Sequence, residues 1–554
     1  MNTADNPTFP WRRVYDEIGI SEEPFDDRPL GVCVEEYAKK ISKNIAFHFF
    51  DTTISYGELN EYANKFANVL TTLGVKKTDV VGIHMPNIPQ YIIAVIAISK
   101  IGCAGSGVSP LLSPLELAYQ IEDTGISVMI SLDTLAAGFG KIKTLPPRLK
   151  TIIITGFNDH ISPQPMNVIE VPGCSCEKYI NLMRRASTLF KQRDVHWNDT
   201  FMIQYTGGTT GKPKGAELSV RNLLYNTIQA TCFTPMQIGE EIMCSPFPMF
   251  HMAGLTVALQ SLCFGAQFIL IPDPRNIEFI CTQLAKVPPT RIYAVPTLYR
   301  MLLDFPDFKK INFSPLKMAV TGAAPLPQVM IEELEAVIGK NKLSDFFGMT
   351  ETSPVHLINP PTRYKPGSVG VPVPGGETRI VDIGKGQKEL HFGEVGEIIT
   401  SGPHVMKGYL NQPEETQKAI REFRDKRWMY TGDVGFMDEE GYIYLCDRAK
   451  DMLIVGGYKV FSVEVEEKLQ HLDFIAESAL VGKPDEERPG NDTVILYIEL
   501  TEGHKRRDHD EVKNEVIKFF RETMAPYKRP KVIHIIDKIP LTSVGKIDKK
   551  ALRK

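Results

Sequence analysis

The sequence predicts an α/β protein with a large N-terminal domain of doubly wound sheets, a β-rich subdomain within it, and a small α+β C-terminal domain. Three patterns predict this fold class. Helical stretches alternate with short apolar runs in the first part of the chain, short strands separated by glycine turns begin after about Gly367, and a compact mixture of helices and strands follows Asp447. Each pattern corresponds to one part of the predicted fold.

The alternation of strands and helices indicates parallel sheets covered by helices. It runs from about residue 55 to residue 170 and returns later in the chain. The segments that carry it are residues 80–84, 90–98, 128–131 and 151–155, and later residues 291–295 and 317–321. Because both stretches have the same rhythm, we assign them to one large doubly wound body.

The remaining elements define a β-rich subdomain and a C-terminal domain. Strands are predicted at residues 377–381, 396–400 and 442–446, separated by glycine turns. Beyond them, residues 463–470 and 510–523 are predicted as helices, and 476–481 and 493–499 as strands. A charged run, Asp447 to Asp451, separates two apolar strands. We therefore predict an N-terminal domain of residues 1–449 and a C-terminal domain of residues 450–554.

Composition and charge are those of an ordinary globular protein. The 554 residues are 43% hydrophobic and 23% charged, with a formal net charge of −4 and both signs interspersed. This balance argues against a dedicated nucleic-acid or anionic-membrane binder. Nine cysteines without a preceding secretory signal indicate free thiols, and the close pair Cys174 and Cys176 is predicted as loop thiols because no second pair lies at zinc spacing. We expect a cytoplasmic protein.

One uncharged segment, residues 252–272, approaches the roughly 20 residues that span a bilayer. It contains Gln260, Ser261 and Gln267, and it lacks the basic and aromatic anchors that flank membrane helices. We predict a buried helix followed by a short strand at residues 267–271. The sequence thus predicts no transmembrane segment, and it leaves peripheral membrane contact and homodimer formation open.

The strongest chemical signal is the stretch YTGGTTGKPKG, residues 205–215, which follows an apolar strand. Four glycines, three threonines and two lysines supply the N–H donors, hydroxyls and cations that polyphosphate needs. It is not a Walker A loop, because three residues separate Gly207 from Gly211 and Pro213 follows Lys212. We predict a phosphate-binding loop, and a flexible surface loop is the alternative.

This stretch resembles the signature loop of the adenylate-forming enzymes, a superfamily that includes acyl-CoA synthetases, peptide-synthetase adenylation domains and beetle luciferases. Further resemblances follow in the family order over residues 54–552. They are ISYGEL near Ser55, PMFH ending at His251, TGAAPLP from Thr321, FFGMTE from Phe346, YTGDVG from Tyr430, DRAKDMLIVGGYKV from Asp447 and PLTSVGKIDK from Pro540. An ordered series of this kind is far more specific than one motif, and the chain looks most like bacterial medium- and long-chain fatty-acid CoA ligases.

The resemblance implies roles for individual residues. It makes Lys546, His251, Thr206 and Glu351 catalytic, with Glu351 and Thr206 also binding Mg2+. The residues that it places on ATP or coenzyme A are Thr206, Gly207, Gly208, Thr209, Thr210, Lys214, Gly322, Ala323, Ala324, Asp345, Phe346, Gly348, Thr350, Asp433, Arg448, Gly456, Gly457 and Lys459. By the same resemblance, adenine is surrounded by Asp345, Ala323, Ala324 and Pro325. Ribose is contacted by Asp433 and Arg448, and the pantetheine tunnel is lined by Gly456 and Gly457.

The chemistry of these residues agrees with those roles. A carboxylate such as Glu351 is a hard oxygen ligand suited to Mg2+. Lys546 supplies a cation where charge accumulates as a carboxylate attacks a phosphate. Taken alone, Thr350 and Glu351 would form a helix cap, and His251 would be a buried or capping histidine. Asp433 is predicted to lie in a tight turn, where its alternative role is to form an Asx-turn. Likewise, Lys546 would be a solvated lysine and the glycine pair a hairpin turn.

The resemblance also implies that the C-terminal domain is mobile. Lys450 matches the pivot about which this domain rotates in relatives, so that Lys546 serves the first half-reaction and the glycine pair the second. Ser462 departs from the family pattern, because a proline usually follows the glycine pair, and we expect the next helix to begin differently.

The acid is predicted from small and apolar residues near the acyl site. By resemblance, Gly348 takes the place of a tryptophan that closes the pocket in acetate-activating relatives. The residues after His251 are also small or apolar: Ala253, Gly254 and Leu255. An open apolar pocket solvates methylenes at about 0.8 kcal/mol each, which favours a medium- or long-chain fatty acid. Alternatives are an aromatic or alicyclic acid, delivery to a carrier protein, or a luciferase-like oxygenase. A non-catalytic scaffold is disfavoured because Lys214, Glu351, Asp433 and Lys546 are all present.

Overall fold

The structure, a computed structural model, describes residues 9–20, 28–164, 170–206, 212–322, 326, 328–456, 458–485, 488, 491–541 and 547–553. The chain divides into two compact units. Unit 1 comprises Met1–Glu377 and Thr400–Met429, and unit 2 comprises Thr378–Ile399 and Tyr430–Lys554. The boundary predicted at residues 449 and 450 lies inside unit 2 and stays a prediction.

Strands and helices alternate along most of the described chain. The strands, in chain order, are β1 (Ile45–Phe49), β2 (Thr52–Ser55), β3 (Val80–His84), β4 (Ala104–Gly107), β5 (Ile126–Leu132), β6 (Thr151–Thr155), β7 (Ser175–Lys178), β8 (Thr200–Thr206), β9 (Lys214–Ser219), β10 (Ile242–Ser245), β11 (Gln267–Leu270), β12 (Arg291–Ala294), β13 (Met318–Gly322), β14 (Leu343–Gly348), β15 (Val355–Asn359), β16 (Val371–Pro372), β17 (Glu377–Val381), β18 (Gly396–Ser401), β19 (Gly408–Tyr409), β20 (Ile420–Phe423), β21 (Lys426–Met437), β22 (Ile443–Arg448), β23 (Leu453–Val455), β24 (Tyr458–Val460), β25 (Ile475–Pro484), β26 (Asp492–Leu500) and β27 (Val532–Ile535). The helices are α1 (Arg12–Ile18), α2 (Leu30–Lys40), α3 (Tyr56–Thr72), α4 (Pro89–Ile101), α5 (Pro114–Thr124), α6 (Asp133–Ala136), α7 (Tyr179–Arg185), α8 (Val220–Thr231), α9 (Met252–Cys263), α10 (Ile277–Lys286), α11 (Pro296–Asp304), α12 (Gln328–Ile338), α13 (Pro413–Ala419), α14 (Ser462–Leu469), α15 (His509–Thr523) and α16 (Lys549–Leu552).

Unit 1 contains two large sheets whose inner strands are mostly parallel. One sheet has the order β19-β9-β8-β4-β3-β5-β6-β7, and the other has the order β16-β15-β14-β13-β12-β10-β11-β1-β2. Helix α4 is buried along its whole length, as expected for a helix that is apolar on every side. The predicted doubly wound α/β architecture is confirmed.

The uncharged segment is a core helix followed by a strand, as predicted. Helix α9 buries Leu255, Leu259 and Leu262 in the largest hydrophobic core, and β11 follows it. In the described part of the chain, no helix has both the length and the apolar character to cross a bilayer. All nine cysteines are free, and Cys176 lies in strand β7 rather than in a loop.

The predicted β-rich and α+β parts are both present, and both lie in unit 2, whereas the β-rich part is predicted from the sequence to belong to the N-terminal domain. In the first, β18 lies between β17 and β21, and β22 pairs with β21. In the second, the three-stranded sheet β25-β26-β27 shares a core with helices α14 and α15, where Val465, Leu480, Leu496, Val516 and Phe520 are buried. The two helices begin within one residue of the predicted positions.

Candidate active site

The predicted phosphate-binding segment is flanked by two antiparallel strands of unit 1. Strand β8 ends at Thr206, strand β9 begins at Lys214, and these two residues pair directly across the hairpin. Four predicted nucleotide-binding residues, Gly207, Gly208, Thr209 and Thr210, lie outside the described residues. The structure therefore brings the predicted threonine and lysine together at the base of the loop.

Helix α5 supports this hairpin through contacts that the sequence does not reveal. The hydroxyl of Tyr205 donates to the Asp123 carboxylate at 2.5 Å and accepts a hydrogen bond from the hydroxyl of Thr124 at 3.0 Å. The hydroxyl of Tyr119 donates to the backbone oxygen of Pro213 at 3.1 Å. Burial, aided by Asp123, raises the pKa of Tyr205, so its phenol stays protonated and can donate. The helix thus holds both ends of the loop.

The predicted metal ligand, Glu351, lies in a buried 3₁₀ turn, residues 350–352, that contacts both β8 and β9. Its side chain is buried, and its Oε1 accepts a hydrogen bond of 2.7 Å from the hydroxyl of Tyr409. Thr352 closes the turn, because its hydroxyl accepts from the N–H of Met349 at 3.1 Å. The turn that carries Glu351 therefore packs against the two strands that flank the predicted phosphate-binding segment.

Glu351 and Thr206 offer a donor set that fits Mg2+. Mg2+ is usually held through one or two carboxylates together with substrate phosphates, and it keeps several waters. A single buried carboxylate beside a strand that ends in a threonine hydroxyl matches this pattern. The predicted roles of both residues in metal binding stay predictions.

The predicted adenine-binding residues lie on neighbouring parallel strands. Gly322 of β13 pairs with Phe346 of β14, next to Asp345. Burial raises the pKa of Asp345 to about 6, and a hydrogen bond from the hydroxyl of Tyr364 partly opposes this rise. Ala323 and Ala324 lie outside the described residues, as does Pro325. Contact with adenine remains a prediction for this edge of the sheet.

His251 occupies the N-cap of helix α9, where its Nδ1 accepts from the N–H of Ala253 at 3.4 Å. The preceding turn is fixed by Asn87, whose side chain accepts from the N–H of Met249 at 2.7 Å and donates to the oxygen of Phe247 at 2.8 Å. The capping arrangement weighed for this histidine is thus present. Its role at the junction of acid and thiol stays a prediction.

In unit 2, Asp433 and Arg448 are direct cross-strand partners on β21 and β22. Their side chains form an ion pair of 3.1 Å, and the Asp433 side chain is buried while that of Arg448 is about half exposed. The tight turn predicted at Asp433 is wrong, because the residue lies inside the long strand β21. Gly432 before it has a φ of 72°, so the strand bends at this glycine. In the sequence, a glycine at such a bend has the same appearance as a glycine in a turn. The ribose role of both residues stays a prediction.

Gly456 turns the hairpin between β23 and β24. Its φ is +61°, and its N–H donates to the side chain of Asn491 at 2.6 Å. A Cβ added there would meet no atom within 4 Å, so the backbone conformation, rather than crowding, favours glycine. Lys459 lies on β24, exposed and opposite Ile454. The hairpin alternative is therefore observed, and the tunnel role stays a prediction.

Two further predicted residues, Gly457 and Lys546, lie outside the described residues. The flanks of Lys546 are described. Leu541 and Ile547 form an antiparallel bridge, and the N–H of Asp548 donates to the oxygen of Pro540 at 2.8 Å. The described residues on either side of the predicted catalytic lysine are thus joined to each other.

Comparison with known proteins decides the family. The model of the AMP-binding enzymes matches residues 34–410, and that of the AMP-binding enzyme C-terminal domain matches residues 464–546. The chain belongs to the AMP-binding enzyme family. The family predicted from the ordered motifs is therefore confirmed, with its two family models in the expected order.

Full-length relatives of this AMP-binding enzyme include long-chain-fatty-acid–CoA ligases. The Bacillus subtilis protein is 34% identical over 98% of this chain and 97% of its own length, and an Escherichia coli protein is 31% identical over 94% and 93%. Among solved structures, the anthranilate CoA ligase AuaEII in complex with anthranoyl-AMP superposes with a TM-score of 0.83 at 25% identity, covering 96% of this chain and 98% of its own. ATP-bound MatB from Rhodopseudomonas palustris superposes with a TM-score of 0.81 at 26% identity, and the match covers 95% of this chain and 98% of MatB.

Two glycines that are predicted from the sequence to lie near the acyl site of this AMP-binding enzyme are required by local packing. A Cβ on Gly348 would lie 1.8 Å from the backbone oxygen of Pro354, and one on Gly254 would lie 2.3 Å from that of Pro248. Backbone atoms cannot move aside as a flexible side chain can. Packing alone therefore accounts for glycine at position 348 whatever the acid, and the open pocket stays a prediction.

We expect Gly348→Ala to destabilise the enzyme by about 1–3 kcal/mol, since the added methyl forces β14 and β15 apart. Gly140→Ala is the matched control, because a Cβ there meets nothing within 4 Å and should change stability by less than about 0.5 kcal/mol. Urea unfolding followed by tryptophan fluorescence measures both. Equal unfolding midpoints for the two variants would contradict the packing argument.

Ser462, the departure from the family pattern, makes two contacts that a proline cannot make. Its N–H donates to the carboxylate of Asp447, and its hydroxyl accepts from Nζ of Lys549 at 2.5 Å. Lys549 also pairs with Glu466 at 2.7 Å. Burial raises the pKa of Glu466 to about 7, against the opposing effect of Lys549. The helix that follows begins at Ser462, held by polar contacts instead of a proline ring.

Proposed function

We propose that this AMP-binding enzyme is an ATP-dependent, AMP-forming ligase that joins a medium- or long-chain fatty acid to coenzyme A. The carrying observation is the 34% identity to a long-chain-fatty-acid–CoA ligase over 98% of the chain. The arrangement of Thr206, Lys214 and Glu351 around one hairpin and one turn supports the same activity.

The reaction has two steps that balance without a further reactant. A carboxylate oxygen of the acid attacks the α-phosphorus of ATP, and pyrophosphate leaves as the acyl-adenylate forms. The sulfur of coenzyme A then attacks the acyl carbonyl carbon, its proton is lost, and AMP leaves as the thioester forms. Each step exchanges one bond at one centre, so positioning and charge stabilisation supply most of the catalysis.

In the first step, Lys214 and the threonines of the 206–210 segment bind the triphosphate, and Lys546 stabilises charge at the α-phosphate. Glu351 and Thr206 would hold Mg2+, which neutralises phosphate charge when bound. In the second step, His251 lies where acid and thiol meet. Residues 450–554 rotate about Lys450 between the steps, so that first Lys546 and then Gly456 and Gly457 serve the reaction.

The decisive experiment measures AMP release with coenzyme A across acetate, hexanoate, decanoate, palmitate, benzoate and cyclohexane carboxylate. We expect kcat/KM to rise with chain length to decanoate or palmitate, because each buried methylene adds about 0.8 kcal/mol. Highest activity with benzoate or cyclohexane carboxylate would show that the substrate is a cyclic acid and not a fatty acid. AMP release that does not depend on free coenzyme A would instead favour a carrier protein as acceptor.

A further inference from the structure

Lys214, at the base of the phosphate loop, already has an anionic partner. Its Nζ forms an ion pair with the carboxylate of Glu415, which lies in the first turn of the short helix α13. The two residues are 201 positions apart in sequence, so the fold creates the pair. Both side chains are partly buried, which makes the pair stronger than one on the open surface.

The surroundings of the pair fix its geometry. Nζ of Lys214 lies 4.9 Å from the ring centroid of Tyr409, whose hydroxyl donates to Glu351. The N–H of Tyr409 donates to the hydroxyl of Thr416 at 2.8 Å, which joins strand β19 to helix α13. The ammonium group of Lys214 thus lies over the ring of the tyrosine whose hydroxyl binds Glu351.

Glu415 has a second cation. Nζ of Lys418 lies 2.6 Å from its carboxylate, and Lys214 together with Lys418 lowers the pKa of Glu415 to about 2. The carboxylate is therefore charged at neutral pH. If Lys214 turned towards another anion, Lys418 would still neutralise Glu415, so the exchange would not leave an unpaired charge.

We propose that Glu415 is a displaceable counter-ion that holds Lys214 until the triphosphate of ATP takes its place, and that it thereby sets the affinity for ATP. The proposal rests on the proposed role of Lys214 in binding phosphate. The Glu415 carboxylate competes with the polyphosphate for the same ammonium group, so ATP binds Lys214 only after that ion pair opens. The lysine is thus kept in place between turnovers, and part of the binding free energy is used to release it.

The test measures ATP binding by titration calorimetry without any acid substrate, using the full chain. Glu415→Gln keeps the shape and removes the charge, and we expect it to lower the Kd for ATP about fivefold. Lys418→Gln should raise the Kd, because Glu415 then relies on Lys214 alone. Lys214→Gln should raise the Kd for ATP about tenfold or more. The double variant with Lys214→Gln and Glu415→Gln should have the same Kd as Lys214→Gln alone. Thermal unfolding of each variant checks that it folds.

The outcomes separate the possible failures. An unchanged or raised Kd in Glu415→Gln would overturn the proposal, since the carboxylate would then orient Lys214 for ATP rather than compete for it. A gain that persists in the Lys214→Gln background would also overturn it, because the effect would be a general change of field. Failure of the unaltered protein to bind ATP would instead defeat the proposed function itself.

Discussion

Lys546→Ala should lower the rate of acyl-adenylate formation by about 10²–10³-fold and leave thioester formation from supplied acyl-adenylate measurable. The first step moves charge onto the α-phosphate, where a cation contributes most. In the proposed mechanism, the second step breaks the bond between the acyl carbon and a phosphate oxygen in a different arrangement of the C-terminal domain. The bridge between Leu541 and Ile547 does not use the Lys546 side chain, so we expect the variant to keep it.

Two assays measure this separation. Acid-dependent exchange of labelled pyrophosphate into ATP reports the first step, and thioester formation from synthetic acyl-adenylate and coenzyme A reports the second. Lys550→Ala, an exposed lysine in helix α16, is the matched control and should leave both rates near those of the unaltered enzyme. An equal loss of both rates in Lys546→Ala would exclude a model in which one domain presents two faces in turn.

Glu351→Gln should reduce kcat/KM for ATP by about 10²–10³-fold and raise the Mg2+ concentration needed for half-maximal rate. Glutamine still has an oxygen that can accept from the hydroxyl of Tyr409, so the loss reports the missing charge. The measurement is pyrophosphate exchange as a function of Mg2+ at fixed ATP.

Glu217→Gln provides the control for this second prediction. Glu217 lies on β9 in the same unit, and its carboxylate accepts from the hydroxyl of Thr200 at 3.2 Å. Its neutralisation should leave the Mg2+ dependence unchanged. If Glu351→Gln had the same Mg2+ dependence as the unaltered enzyme, Glu351 would not be a ligand of Mg2+.

Much of the fold can be predicted from local sequence, because apolar runs bounded by turns mark buried strands. Strands β3 and β6 lie at the predicted residues, and the polar residues and missing anchors of α9 are enough to predict a core helix. Local sequence misplaces Asp433 in a turn because the neighbouring Gly432 resembles a turn residue, whereas long-range pairing with β22 keeps it in a strand.

In the candidate site, only the residues that lie within recognisable sequence motifs can be predicted from the sequence. The contacts that tie the motifs together join distant residues, such as Tyr409 to Glu351 over 58 positions. No periodicity or spacing encodes such a contact, since it depends on how β19 docks on β9. The same holds for Gly348, whose small size has a packing cause that becomes visible only when Pro354 is placed against it.

The polar contacts of Ser462 bear on attempts to engineer this enzyme. Introducing proline at a position where homologues carry it is a common route to heat resistance, because proline restricts the unfolded chain. At Ser462 that change would delete an amide that Asp447 uses and a hydroxyl that Lys549 uses. A consensus-guided library should therefore keep serine at this position, and any benefit seen with proline in a homologue should not carry over unless its partners are redesigned as well.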